Sequence, residues 1–531
     1  MMGGRTEVIA INDRRELFLD DFLISSLSNG VKRVLHHPEF RDVVMSFDEG
    51  NENSNCTNYV SIVHDDGRYL IYYRAGGRQP TSVSGPSSKY FLCVAETRDG
   101  KNFSRCKVNL LPEAPNAVLN NAMTDDIPPS PDVNICPAVS TVFKDTNPAC
   151  LPEERFKMLV ADESNCRDKL HPKKYNGLYL FVSPDGFNFI RKSKERFALD
   201  KKVFYDTAHR AFFDHRIGEY RLYMRHFGMI YGSKRRNIVT CRTKDFVEFH
   251  DCEILKYDRK FHRLFKDGQQ LYTNNIAPYF RAPHIMLGFP GRYYDSEKWD
   301  NSFLNLPDLD LRTFRSNYSL RAGTALTETV LITSRDGLNF KGFGEAFLRP
   351  GPQTQRSSWT YGDMHFASGM IPTASDIGYG APDELSFYFV EAYGVEGCCR
   401  LRRCAIRMDG FASVNFPAAW GRMETKLFVF KGHRLTLNLA GGAFGRFKVG
   451  FLDENGEPIP GYSLDDALPS TGDALDLTAF WKHGSDVSAL AGKPVSMVIE
   501  ARDCDLYSMQ FVAEPEPLVL PELGDNQIIL P

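Results

Sequence analysis

The chain has 531 residues, 42% hydrophobic and 25% charged, with a formal net charge of −3. That length exceeds one compact core, so two or more domains are expected, and the near-neutral balance argues against nucleic acid or a membrane surface as the main partner. No run approaches the roughly 18 apolar residues that cross a bilayer. The N-terminus MMGGRTEVIAINDRREL lacks an apolar stretch of signal-peptide length, which places the chain as written in the cytoplasm, or in the periplasm or outside the cell if an export signal has been removed.

In chain order, RRELFLDDFLI (residues 14–24) reads as an extra strand that closes a ring of sheets or covers its edge. Five times thereafter an alternating strand runs into a polar turn and a second short strand. The turns are ETRDGKNF (Glu96 to Phe103), SPDGFNF (Ser183 to Phe189), TKDFVEF (Thr243 to Phe249), SRDGLNF (Ser334 to Phe340) and RMDGFASV (Arg407 to Val414). Asp-Gly between alternating runs is a strong hairpin signal, because Gly supplies the positive φ of a tight turn. Two further strands precede each hairpin, as in NYVSIVHDDGRYLIYYRAG before the first. Four short antiparallel strands per unit, five units and almost no helical periodicity point to an all-β, five-bladed β-propeller over residues 1–419. From residue 420 the strands KLFVF, LTLNLA, FKVGFLD, VSMVIEA and YSMQFV form a separate module, read as a β-sandwich with an extended tail to residue 531.

The twelve cysteines form no CxxC, and several alternate with apolar residues, which favours free buried thiols over a disulfide framework. The 13 histidines show no HExxH or paired Cys/His spacing, so neither a metal nor another cofactor is expected.

In a propeller, the start of each innermost strand and the end of the next strand lie on one face, around the mouth of the central channel. First-strand starts offer Tyr59, Asp132, Asp206 with His209, Asn275, and Asp363 with His365. Second-strand ends offer Arg74, Asp162, Arg225 with His226, Arg292, and Glu391 with Tyr393. Such a set suits a polyhydroxylated, acidic or neutral ligand: carboxylates accept from hydroxyls, arginines clamp acids and tyrosines stack on rings. Glycoside cleavage needs two carboxylates in different protonation states. Asp132, Asp206 and Glu391 are the candidates, Glu391 because it ends the apolar strand LSFYFVEAYG. A structural ion pair with a strand-end arginine is its competing reading. The run Lys234–Arg235–Arg236 reads as a solvated loop tip, or as the rim of a site for acidic glycans.

The order LFLDDFLI, YLIYYRA, SPDGFNF, YDTAHRAFFD, APHIMLGFPGRY and FVEAYG resembles bacterial proteins distantly related to the invertase and arabinanase families. That resemblance implies a five-bladed propeller with three carboxylates in a central depression, although the WMNDPNG-like, RDP and EC boxes are absent as such. The stretch from PIPGYSLDDA to DLYSMQF is similar to the sandwich module attached to such proteins. The expected activity is an exo-acting glycoside hydrolase on an oligosaccharide or polysaccharide fragment, with inverting chemistry favoured. The alternatives are a non-catalytic carbohydrate-binding propeller and a glycoside phosphorylase, the latter with Arg74, Arg225, Arg281 and Arg292 available for phosphate.

Overall fold

Four of the five turns fold by one local device. In the computed structural model, which describes residues 8–49, 52, 59–76, 90–112, 114–120, 135–162, 177–193, 195–197, 199, 203–205, 207, 209–295, 301–317, 319–356, 358–395 and 397–513, the hydroxyls of Thr97, Ser183, Thr243 and Ser334 each accept from the backbone N–H three residues on, at 2.9–3.0 Å. The aspartate two residues after each hydroxyl accepts from the backbone N–H groups two and three residues beyond itself, at 2.7–3.0 Å. Each turn thus satisfies its own orphan donors through side chains. Where the third copy lacks glycine, Phe246 takes the left-handed backbone (φ 60°) and buries its ring.

The strands around these turns form five antiparallel sheets. Blade one uses Ser61–Asp65, Arg68–Gly76 and Tyr90–Thr97, flanked by Ser104–Arg105 and Ala117–Asn120. Blade two uses Ile135–Lys144, Phe156–Asp162, Leu178–Ser183 and Ile190–Arg191. Arg210–Asp214, Glu219–Ile230, Ser233–Thr243 and Phe249–Ile254 build blade three. Ile276–Tyr279, Ala282–Gly288, Leu326–Ser334 and Asn339–Leu348 build blade four, and Ile371–Thr373, Glu384–Glu391 and Arg400–Arg407 belong to blade five. The innermost strands run side by side around the axis, and Ser61 bridges to Ser368 in parallel register to bring blade five against blade one.

Both faces of each blade are buried, which explains near-continuous apolar runs such as RYLIYYRAG. Five apolar cores sit between consecutive blades. Tyr72 and Val94 of blade one meet Met158 and Phe181 of blade two; Leu159 and Leu180 meet Leu222 and Val239; Tyr223 and Ile238 meet Met286 and Ile332. Leu287 and Leu331 meet Phe387 and Cys404, and Tyr388 and Leu401 return to Ile71 and Cys93. The turns lock into these seams. Tyr72 donates to the Gly186 carbonyl (2.8 Å), Tyr223 to Gly337 (2.8 Å) and Tyr388 to Gly100 (2.6 Å), each reaching the turn of the next blade. A Cβ on Gly186 would lie 2.6 Å from the Tyr72 hydroxyl, so the close approach requires glycine as much as its φ of +81° does.

The fifth turn differs, and so does the closure of the ring. Arg407 stands where the others carry Ser or Thr, and Asp409 does not cap its own turn; its carboxylate points into the C-terminal module. The following strand, Ala412–Phe416, pairs with Ser496–Val512 of that module rather than with blade five. The outermost strand of blade five is Glu39–Ser46, from the N-terminal region. The segment 14–24, expected to close or cover the ring, pairs elsewhere: Glu16–Leu17 joins Ser496–Val512, and Ile24–Ser28 joins Gly421–Thr425. In the C-terminal module the strands Arg434–Leu452 and Ser496–Val512 pair along their length, with a register shift between Gly441 and Arg446. Leu435 and Leu437 before that shift, and Phe447 and Phe451 after it, share one core with Trp481, so the bent strands close over it.

Among the described residues α-helix is confined to Arg259–Arg263, Leu309–Ser316 and Leu320–Thr324, and no helix is long and apolar enough to cross a membrane. The expectation of free thiols needs one correction: Cys241 and Cys252, on adjacent strands of blade three with Cα atoms 4.2 Å apart, form a disulfide, while Cys106, Cys150, Cys398, Cys404 and Cys504 are free.

Candidate functional site

The starts of the innermost strands and the ends of the second strands share one face of the ring. Around blades three to five that face is built from arginine and tyrosine. Arg225, midway along the second strand of blade three, lies 4.2 Å above the Tyr272 ring and donates to the Tyr272 carbonyl at 2.7 Å. Arg236, on the neighbouring strand, lies 5.0 Å from the same ring and 4.9 Å from that of Tyr293. Arg321, from the helical insertion between residues 295 and 326, lies 5.2 Å from the Tyr361 ring. The Tyr272 and Tyr361 hydroxyls are 3.0 Å apart. Toward blade one, Arg74 donates to the Tyr393 hydroxyl at 3.0 Å.

His365 stacks on Tyr272 with 5.3 Å between ring centroids. It is 2% exposed and neither ring nitrogen has a partner among the described residues. Its ring fits because residue 291 is glycine: a Cβ there would stand 2.8 Å from the imidazole. Burial and the adjacent Arg225 charge push the imidazole down to about 3, so it is neutral at physiological pH. Asp363, two residues earlier, is fully buried. It accepts from the Thr360 N–H (2.9 Å), the Thr360 hydroxyl (2.5 Å) and the Tyr393 N–H (2.7 Å). Burial outweighs these donors and nearby Arg315, and raises its carboxyl to about 7. The balance goes the other way at Tyr272: burial raises the phenol, but Arg225, Arg321 and Arg236 together bring it down to about 8. Guanidinium groups bind oxyanions and tyrosine rings accept the apolar face of a ring ligand, so this sector combines both functions.

Of the residues expected from the sequence, the structure brings Arg74 to Tyr393, and Arg225 to His365 across Tyr272. Tyr59 sits before the first inner strand in left-handed backbone (φ 69°). His209 is buried edge-on to Tyr205, and the His226 ring lies over the Gly228 backbone, where a Cβ would come within 2.4 Å of its Nε2. Asp162 is fully buried and paired with Arg196 at 2.6 Å. Asn275 ties blade four to blade five by donating to the Phe366 carbonyl at 2.7 Å. Asp132 and Asp206 lie outside the described residues.

Three expectations are corrected. Arg281 sits in the hairpin at the opposite end of its strand from Asn275, and binds Asp409 at 2.9 Å; it belongs to the contact with the C-terminal module. Arg292 pairs with Glu328 (2.7 Å from Nε) on the side of its ribbon away from Tyr293, where it lines a separate cleft of about 330 Å³ with Tyr294 and Trp359. Glu391 gives one oxygen to Arg400 and the other to Arg402, both at 2.7 Å, and is 3% exposed. Both oxygens are held by guanidinium groups, and the structural ion pair is the reading this geometry supports. Replacing Glu391 with Ala leaves two partly exposed arginines unpaired. We expect about 1–3 kcal/mol of lost stability by chemical denaturation; an unchanged midpoint would refute this role.

Sequence reasoning passed over Tyr272, Tyr361 and Arg321. Tyr272 stands three positions before Asn275 and Tyr361 two before Asp363, so the signal was at hand. Arg321 comes from an insertion with no repeat pattern to mark it.

Among solved structures, a glycosyl hydrolase from Bacteroides ovatus matches at 11% identity and a TM-score of 0.43, over 70% of this chain and 94% of that one. The endo-arabinase of Bacteroides thetaiotaomicron matches at 9% identity and a TM-score of 0.39, over 69% and 98%. A structure from the family of mannoside phosphorylases that contains glycoside hydrolases targeting beta-1,2 mannosidic linkages in Candida mannan matches at 10% identity and a TM-score of 0.41, over 72% and 96%. No family model matches the sequence, and neither does any curated protein.

Proposed function

We propose that the protein cleaves glycosidic bonds in an oligosaccharide or polysaccharide fragment bound at the mouth of the propeller channel. The observation that carries this reading is the convergence of Arg74–Tyr393, Arg225–Tyr272, Tyr361 and the unpartnered His365 on one face of the ring. Hydroxyl-rich ligands need many donors and acceptors held beside aromatic faces, and a purely structural ring has no use for a buried histidine without a partner. With Glu391 held by two arginines, the acid and base fall to Asp132 and Asp206. Recognition of a chain end, and inversion at the cleaved carbon, complete the proposal; inversion requires the two carboxylates about 6.5–9.5 Å apart.

Reducing-end release from a panel of oligosaccharides tests it. Asp132→Asn and Asp206→Asn should each slow cleavage by about 10²–10⁴-fold, while Glu391→Gln retains activity per folded molecule. Full activity in both aspartate variants would sink the assignment. The arginine-rich mouth also fits phosphate as the attacking group, and a requirement for added phosphate in the same assay would identify phosphorolysis instead of hydrolysis.

A further inference from the structure

We infer that the sector between blades three and five holds the carboxylate of an acidic sugar, with Arg236 and Arg321 as its clamp and Tyr361 against the sugar ring. This rests on the glycan reading above and names the class of glycan. Both arginines are partly buried, and among the described residues neither has a carboxylate partner. Arg236 donates to the neutral side-chain oxygen of Gln270 at 2.8 Å. The Nη1 of Arg321 is buried with no acceptor among the described residues. The nearby Asp295 accepts from the Tyr293 hydroxyl at 2.9 Å. A buried cation with an unsatisfied N–H costs stability unless a ligand supplies the missing acceptor. An oxyanion does so in two-pronged geometry.

The rings distinguish an acidic sugar from a bare anion. Tyr272, Tyr293 and Tyr361 stand together, with centroids 5.3–6.4 Å apart. Tyr272 and Tyr293 are buried, whereas Tyr361 is the member of the trio that reaches solvent. A uronate places its carboxylate on the guanidinium groups and its ring carbons on Tyr361. Inorganic phosphate has nothing to place there.

Calorimetry on the full chain separates these. The probes are oligogalacturonides, their methyl esters, neutral galactose oligomers and inorganic phosphate. The free acid should bind, more weakly at high salt, and more tightly than its ester. Arg236→Met and Arg321→Met should each weaken acid binding by roughly tenfold or more without changing neutral binding. Arg321→Lys, which keeps the charge, should recover part of the loss, and thermal melts of each variant confirm folding. Equal binding of acid and ester, no binding of the acid, or phosphate binding with no preference for the acid sugar would each overturn the inference. Acid binding without cleavage of any glycan would remove the proposed activity and leave this site standing. Cleavage confined to neutral glycans would do the reverse.

Discussion

Asp409→Ala should cost about 3–5 kcal/mol of stability, among the largest effects of any single substitution away from the channel. Asp409 is fully buried. Its oxygens accept from the Tyr279 hydroxyl (2.6 Å), Arg281 Nε (2.9 Å) and the Ser508 hydroxyl (3.1 Å), and Arg15 stands at 3.4 Å. Tyr279 and Arg281 belong to blade four, Ser508 to the C-terminal module, and Arg15 to the N-terminal segment laid against that module. One carboxylate therefore joins three parts of the chain. Removing it strands the Arg281 guanidinium and a phenol whose residue is fully buried, while Arg15 keeps its bonds to Ser508 and Gln510. Alanine also has to adopt φ 63°, a left-handed backbone that costs about 1–2 kcal/mol for most residues. Asparagine tolerates that backbone and keeps the shape, so Asp409→Asn should lose less than Asp409→Ala. Urea denaturation compares the two. Wild-type midpoints in both variants would show that the modules are held together by other contacts.

The same residue shows how far the sequence could be read. Asp-Gly turns are local, and Ser334, Asp336 and Gly337 close one from within seven residues, so the repeat and the propeller were legible. RMDGFASV looks like a fifth copy, but an arginine replaces the hydroxyl that anchors the others. That single difference releases Asp409 to bind across domains and sends the next strand into the C-terminal module. The strand that fills the vacated edge, Glu39–Ser46, carries no Asp-Gly signal and lies more than 350 residues earlier in the chain than its partner Arg400–Arg407. Pairing at such separation leaves no local trace. At the site, counting strand ends brought up Arg74, Arg225, His365 and Tyr393. It could not separate Glu391 from them, because side chains alternate across a strand and the facing arginines, Arg400 and Arg402, lie on a neighbouring strand. Arg281 was misread for a related reason: a short hairpin offers two polar ends, and only the fold says which faces the channel.

His365 and Asp363 should impose opposite pH dependences on stability. An unfolded histidine takes up its proton near pH 6.5, whereas folded His365 resists until about 3. The unfolded chain therefore binds the extra proton between those values, and acidification through that window destabilises the fold. Asp363 runs the other way. Its unfolded carboxyl ionises near 3.8 but the folded one only near 7, so between those values the folded chain holds the extra proton and acidification stabilises it. Each slope is about 1.4 kcal/mol per pH unit, and from pH 6.5 to about 4 they oppose one another. Stability should be nearly flat there as far as these two groups decide it. His365→Phe keeps a ring on Tyr272 and removes the titration. Its stability, relative to wild type, should rise by about 3 kcal/mol on going from pH 6.5 to pH 4. Asp363→Asn should fall by a similar amount over the same interval. The comparison is of slopes, so a uniform loss from either substitution does not obscure it. Denaturation curves at four or five pH values suffice, and variants whose stability tracks wild type at every pH would mean that neither group titrates as its surroundings dictate. If the slopes do separate, His365 is neutral throughout the physiological range. Its unpartnered nitrogens then stand beside Arg225 as one donor and one acceptor for a bound hydroxyl, not as a second positive charge.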